Sequence, residues 1–310
     1  MRRPPLPARV TVVEVGPRDG LQNEASQIPV AQKIAFVDAL TAAGLPAIEI
    51  AAFVSPARVP QMRDASDVAR GITRGPTTRY SALVPNRRGL ADAHAAGLSE
   101  VAVFAAASET FSLRNINQTI EVSLAAYADV IAEAHVLGMR ARGYLSTAFG
   151  CPFEGHVPQA RVVELTGRLL AMGVFEVAVS DTIGVATPGQ VGDMVDALAG
   201  TVPLEAIALH LHDTRGTALA NVFAALECGI STFDASAGGL GGCPFAPGAA
   251  GNLATEDLLY MLHGLGIETG ADLDAVAHAS RLIAGAIGHA LPSRYLQSLG
   301  AHPDATIAGA

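Results

Sequence analysis

The sequence predicts an α/β fold, a (β/α)8 TIM barrel with an extra C-terminal helix. Three observations carry that prediction. Eight short apolar or β-branched runs alternate with longer helical patterns along the 310 residues. Five helical patterns stop at glycine, in Ala43-Gly44, Ala96-Gly97, Leu137-Gly138, Met172-Gly173 and Cys228-Gly229. Each of these glycines is followed within a few residues by a strand pattern. Glycine after the last turn is the expected C-cap, because it takes positive φ without strain. A repeated helix–Gly–strand cadence marks βα units and a parallel sheet. A doubly wound open sheet is the competing arrangement; eight units favour a closed barrel.

The expected strands are Val10–Val15, Ala47–Ile50, Tyr80–Val84, Glu100–Phe104, Arg140–Leu145, Phe175–Val179, Ala206–His212 and Ser231–Ala235. Helical runs between them include Val30–Ala43, Gln118–Leu137, Gln159–Met172, Gly189–Ala199, Ala218–Glu227 and Leu253–Leu265. In the first, Ile34, Val37 and Leu40 share one face. A final helix, Leu273–Ile287, follows the eighth unit. No linker interrupts the pattern, so residues 1–310 read as one catalytic domain with its barrel over about 10–290.

Composition narrows the function. A net charge of -9 argues against nucleic acid, which needs a basic face. No uncharged apolar run is long enough to span a bilayer, and no apolar segment follows the two N-terminal arginines, so a cytoplasmic location is expected. Three cysteines are too few for a disulfide framework. Lys33 is the single lysine. It lies in an amphipathic helical run beside Gln32 and reads as solvated, whereas a Schiff-base aldolase needs a desolvated lysine.

In such barrels the chemistry sits at the C-terminal ends of the strands. Three strand ends are rich in reactive side chains. The first is Gly16-Pro17-Arg18-Asp19-Gly20-Leu21-Gln22-Asn23-Glu24. Alone, RDG is an ordinary turn; here Asp19 is a candidate metal ligand beside an Arg18 able to neutralise developing negative charge. The second is His210-Leu211-His212-Asp213. Residues two apart on a strand face the same side, so both imidazoles point into the barrel mouth and make a candidate ligand pair. With Asp19 they form a two-histidine, one-carboxylate set suited to Mg2+, Mn2+ or another octahedral divalent ion. The third follows strand eight, from Gly238 to Gly248, then Gly251-Asn252. Neither GxxxxGKS/T nor GxGxxG spacing is present, so the glycines do not read as a phosphate loop. They suggest a loop able to cover the site, with Cys243 as a candidate acid or nucleophile; the plain alternative is a hinge. Glu49 ends strand two and is expected to face the site. Asp181 and Thr182 end strand six, where a carboxylate can orient a ligand or base. Arg87, Arg88 and Arg114 follow strands three and four. Singly each is an ordinary surface charge; together they suit the phosphates of a CoA carrier.

These residues together resemble the 3-hydroxy-3-methylglutaryl-CoA lyase family of metal-dependent barrels, from about Val10 to about Ile287. The stretches that carry the resemblance are VEVGPRDGLQNE, FVSP with VPQM, GCPFEG, DTIGVATPG, HLHDTRGTALAN and GGLGGCPFAPGAAGNLATEDL. The resemblance implies Asp19, His210, His212 and Asn252 as metal ligands. It implies Arg18 at the thioester carbonyl, Cys243 as the loop acid, Glu49 and Asp181 as supporting carboxylates, and Gln22 and Thr182 as lining residues. The implied reaction is a retro-Claisen cleavage of a 3-hydroxy acyl-CoA, with His210 or Asp19 as the base. For the name-giving substrate the products are acetyl-CoA and acetoacetate. Related barrels suggest a homodimer. The sequence departs from the family where Ala52 and Ala178 stand in place of usual hydroxyl residues and Arg215 in place of a more usual tyrosine. That points to a sibling substrate, citramalyl-CoA or a longer branched 3-hydroxyglutaryl-CoA. A condensing synthase normally carries a further regulatory region. A non-catalytic metal- or acyl-CoA-binding relic has no need of both Arg18 and Cys243.

Overall fold

In the computed structural model, which describes residues 5–242 and 251–300, eight parallel strands close into a barrel in chain order. The strands are β1 Thr11–Glu14, β2 Ala47–Ala52, β3 Arg79–Leu83, β4 Glu100–Ala106, β5 Arg140–Ser146, β6 Val177–Asp181, β7 Ile207–Leu211 and β8 Thr232–Ala235. β1 pairs with β8, Thr11 opposite Thr232, and this closes the ring. Every strand residue of β2, β6, β7 and β8 is buried. Parallel strands covered on both faces read as continuous apolar runs rather than alternating ones.

The outer ring holds α1 Val30–Ala42, α2 Ala65–Gly71, α3 Arg87–Ala95, α4 Glu109–Ile116, α5 Ile120–Val136, α6 Gln159–Ala171, α7 Pro188–Ala199, α8 Ala218–Glu227 and α9 Thr255–Gly264. α10 Leu273–Ile287 and a short α11 Arg294–Gly300 follow, and α10 packs on α1. Local chemistry fixes several helix starts. Thr187 and Gln190 form a reciprocal capping box with Pro188 in the first turn of α7. Ser108, Thr119 and Asp272 cap α4, α5 and α10 through their side chains. The five glycines expected to end helices all take positive φ, between 72° and 101°.

One expectation needs correction. Lys33 is not solvated: it lies on the inner face of α1 with Phe36, Val37 and Leu40. Its ammonium pairs with Asp64 at 2.7 Å and donates to the Gln61 carbonyl. A buried ammonium survives by such pairing, and this one is spent on tying α1 to the segment before α2. Cys228 is half-buried at the C-terminal end of α8 and packs against the core.

Candidate active site

The chain leaves β1 into a single π-helical turn, Gly16–Gly20, whose Gly20 amide returns to the Val15 carbonyl at 3.2 Å. Such turns widen the backbone and are frequent at functional sites. This one sets Arg18 and Asp19 over the end of the barrel. A β-bulge in β2, where pairing skips from Glu49 to Ala51, sets Glu49 below them.

Arg18 is clamped from two sides. Its Nε donates to Glu49 Oε2 at 2.5 Å and its Nη1 to Asp19 Oδ1 at 2.6 Å. Burial by itself disfavours the guanidinium charge, but Glu49, Asp19 and Tyr144 overcome this and hold the cation firmly. Glu49 is fully buried, and burial raises its carboxyl pKa against the opposing pull of Arg18.

Asp19 sits at the centre of the group. Its Oδ1 also accepts from Gln22 at 2.9 Å, and its Oδ2 accepts from Asn252 Nδ2 at 2.8 Å. Burial would raise its pKa; Arg18, His210 and His212, with the Asn252 hydrogen bond, pull it down to about 2. His210 Nε2 lies 3.9 Å from Asp19 Oδ2 and 3.2 Å from His212 Nε2. Burial, reinforced by His210 and Arg18, outweighs Asp19 and lowers the His212 pKa to about 4. His212 is therefore neutral at pH 7 and offers a lone pair. Asn252 is brought in by an antiparallel bridge to His212.

The ligand atoms of Asp19, His210 and His212 all lie within 4.8 Å of one another, so one ion can touch all three. Asn252 adds a second test. Its amide nitrogen donates to Asp19 and to the Leu240 carbonyl, while its Oδ1 is buried without a partner. A buried orphan acceptor costs about 1–3 kcal/mol unless something satisfies it. A carbonyl oxygen, a carboxylate and two imidazoles are a suitable donor set for a divalent cation, which removes that cost.

The group opens on a cavity of about 530 Å³ at the C-terminal end of the barrel. Arg18, Asp19, Gln22, Thr182, His210 and His212 line it, as the sequence led us to expect. Other expected residues lie elsewhere. Asp181 points away from the cavity and accepts the backbone amides of Val185 and Ala186, both at 2.9 Å, so it shapes the loop after β6. Arg114 is exposed on α4 and stacks on Phe153, its guanidinium carbon 4.5 Å from the ring centre. Arg87 pairs with Glu133. Ala52 and Ala178 are buried off the cavity wall, and Arg215 donates to the carbonyls of Ile183 and Gly184. The wall keeps its hydroxyls through Ser55, Ser146, Ser180 and Thr182. The lining therefore carries hydroxyl donors although Ala52 and Ala178 have none. Cys243 lies outside the described residues; its neighbour Gly242 is on the cavity wall and accepts from Asn23 at 2.9 Å.

Sequence reasoning missed Arg58 and Tyr144 on the cavity wall, and Arg142 and Asp234 behind His210. These last three come from the interiors of β5 and β8. Charged residues in the middle of buried strands were the signal available for two of them.

Comparison with known proteins agrees with this geometry. The HMGL-like family model matches residues 9–283. The chain is 50% identical over 293 residues to the mitochondrial hydroxymethylglutaryl-CoA lyase of Rattus norvegicus, covering 94% of this chain and 90% of that one. The structure of a hydroxymethylglutaryl-CoA lyase from Pseudomonas aeruginosa superposes with a TM-score of 0.94 at 49% identity, covering 96% of this chain and 99% of that one. An HMG-CoA lyase from Acinetobacter baumannii, in complex with coenzyme A and 3-methylmalate, gives 0.90 at 39% identity over 97% of both chains. The chain belongs to the HMGL-like family, among the hydroxymethylglutaryl-CoA lyases.

Proposed function

We propose that the protein cleaves 3-hydroxy-3-methylglutaryl-CoA to acetyl-CoA and acetoacetate. The observation that carries this reading is the convergence of Asp19, His210 and His212 beside the doubly clamped Arg18. Asp19, His210, His212 and the Asn252 carbonyl would hold the ion, Mg2+ or Mn2+. Such an ion supplies Lewis-acid polarisation of the substrate's hydroxyl and carboxylate oxygens. The His210 Nε2 lone pair would be committed to the ion, whereas Asp19 has a second carboxylate oxygen, so Asp19 takes the proton of the tertiary hydroxyl. As that O–H electron pair forms the ketone, the adjacent C–C bond breaks and its electrons pass into the thioester as an enolate. Arg18 stabilises the enolate oxygen without having to reorganise, because Glu49 and Asp19 already fix its fork. The Cys243 thiol then gives its proton to the enolate carbon. Gln22 holds Asp19, and Thr182 lines the wall. Arg58 at the cavity wall and the exposed Arg114 are the cations offered to the CoA phosphates.

We read the chain as one catalytic domain that works as a homodimer in the cytoplasm. No helix among the described residues is long and apolar enough to cross a membrane. Cys151 and Cys228 are free thiols, in keeping with a reducing compartment. The exposed Tyr260, Leu265 and Leu282 on and beside α9 and α10 support self-association, which light scattering checks.

The test is acetyl-CoA release across a panel of branched 3-hydroxyacyl-CoAs with Mg2+ or Mn2+. The expected result is the highest kcat/KM for 3-hydroxy-3-methylglutaryl-CoA. A higher value for citramalyl-CoA or a longer homologue overturns the substrate assignment. The sibling reading rested on Ala52 and Ala178, and neither reaches the cavity wall.

A further inference from the structure

His210 has two ring nitrogens with different surroundings. Nε2 faces His212 and Asp19. Nδ1 lies 3.1 Å from Asp234 Oδ2, below the site. Asp234 is buried on β8 and does not line the cavity. A carboxylate only accepts hydrogen bonds, so the geometry makes Nδ1 the donor.

Asp234 is itself gripped. Arg142 reaches across the barrel from β5 and donates Nη2 to Asp234 Oδ1 at 2.7 Å and Nη1 to Oδ2 at 3.2 Å. Arg142 is fixed in turn by Glu176 at 2.7 Å and by the Tyr144 hydroxyl at 3.0 Å. Tyr144 meets the His210 ring edge-on, 6.0 Å between centroids at 88°, and sets its plane. The same hydroxyl donates to Glu49, which clamps Arg18. One buried set of bonds therefore orients both the imidazole and the guanidinium of the site.

We propose that Asp234 is a positioning residue: clamped by Arg142, it holds the His210 proton on Nδ1 and keeps the Nε2 lone pair turned into the site. The inference rests on the reading of His210 as a ligand of the ion. An imidazole protonated on Nε2 can neither bind a cation there nor accept a proton.

The substitution Asp234→Asn tests this. Arg142 Nη2 keeps an oxygen at the shorter contact, so the new amide NH2 faces His210 and donates to Nδ1. The ring proton then moves to Nε2. Two-bond 1H–15N spectra of full-length protein labelled on histidine, recorded before and after removal of Mg2+, report the tautomer directly, with His210→Gln identifying the signal. The metal-free spectrum decides, because a bound ion would itself force the proton to Nδ1. The expected result is Nδ1–H in the wild type and a shift to Nε2–H in D234N. Affinity for Mn2+, read from the EPR signal of the free ion, should fall by roughly 10–100-fold. A wild-type Nε2–H tautomer overturns the proposal and requires no variant to fold. So does a folded D234N protein whose His210 keeps Nδ1–H, the result expected if Asp234 serves only as a charge partner for Arg142. His210→Ala separates the underlying reading: unchanged Mn2+ affinity there removes His210 from the ligand set, while the tautomer spectra still decide the role of Asp234.

Discussion

The Nε2 atoms of His210 and His212 face each other across 3.2 Å. Two acceptor nitrogens that close repel unless a proton or a cation lies between them. Burial pushes His212 down to about 4, so at pH 7 its ring is neutral; an N–H···N bond between the rings or a bound cation relieves the contact, and the neighbouring Asp19 carboxylate favours the cation. We predict that His212→Ala loses Mn2+ affinity by more than the roughly 10–100-fold typical of a neighbour that merely orients a ligand. Isothermal titration with Mn2+ measures it. Affinity within threefold of wild type removes His212 from the ligand set.

Arg18→Lys keeps the positive charge but not the fork that binds Glu49 and Asp19 together. If Arg18 meets the enolate oxygen, kcat should fall by about 10²–10³-fold, the usual loss for one preorganised donor. KM should move much less. A lysine variant with kcat near wild type, measured at saturating Mn2+ and substrate, shows that only charge matters at this position.

The barrel was legible in the sequence because its strands are buried on both faces and several of its helices end on glycine. β8 appears within one residue of its expected bounds, and α8 and α10 match at both ends. The short helices α2, α3 and α4 were missing from the expected list. Seven to nine residues give only two turns, too few for a helical repeat to stand out from a loop. Asp19, His210 and His212 could be read because spacing on a strand places them. Arg142 and Asp234 could not be paired, since they are 92 positions apart and meet only when the barrel closes. Asp181 was misplaced by one step of strand alternation: Ser180 and Thr182 face the cavity, and Asp181 faces the other way.

Gly251 tests how closely the two ends of the glycine-rich segment must meet. A Cβ there would lie 2.2 Å from the Gly241 carbonyl oxygen and 2.3 Å from that of Gly239. Gly251→Ala should therefore cost about 1–3 kcal/mol as overpacking against backbone and visibly lower the thermal midpoint. Gly192, inside α7 with nothing near its missing Cβ, is the contrast. Gly192→Ala should stabilise by about 0.5–1 kcal/mol. Equal midpoints for the two variants contradict the close approach.

Glu256 holds the root of that segment, accepting the Gly238 amide at 2.8 Å and the Ser280 hydroxyl. Burial pushes its carboxyl up to about 7, against the lowering effect of those bonds. The folded state then binds a proton that the unfolded chain, titrating near 4.5, has released. Stability from this group is fully present below about 4.5 and is lost as pH rises toward 7. Glu256→Gln stays neutral throughout. Its thermal midpoint relative to wild type should rise between pH 5 and pH 8. A difference that is flat or falling over that range contradicts a raised Glu256 pKa.

The last prediction concerns Cys243. A thiol that protonates the enolate carbon acts by general acid catalysis, worth about 10²–10⁴-fold. Cys243→Ser changes shape little but substitutes a far weaker acid. Cleavage should slow by roughly 10²-fold or more, with Mn2+ affinity unchanged because the ion's four proposed donors are intact. The other two cysteines are controls with known surroundings. Cys228 is half-buried at the end of α8. Cys151 is buried after β5, its Sγ 2.9 Å from the Ser108 hydroxyl and accepting the Phe153 and Glu154 amides at 3.4 Å. Those bonds anchor the turn after β5 and keep Cys151 off the cavity wall, so Cys151→Ser should alter stability more than kcat. Measure kcat for all three serine variants at saturating metal. A Cys243→Ser enzyme within about threefold of wild type, a difference of only about 0.6 kcal/mol, takes Cys243 out of the chemistry and leaves its glycine-rich segment as a hinge.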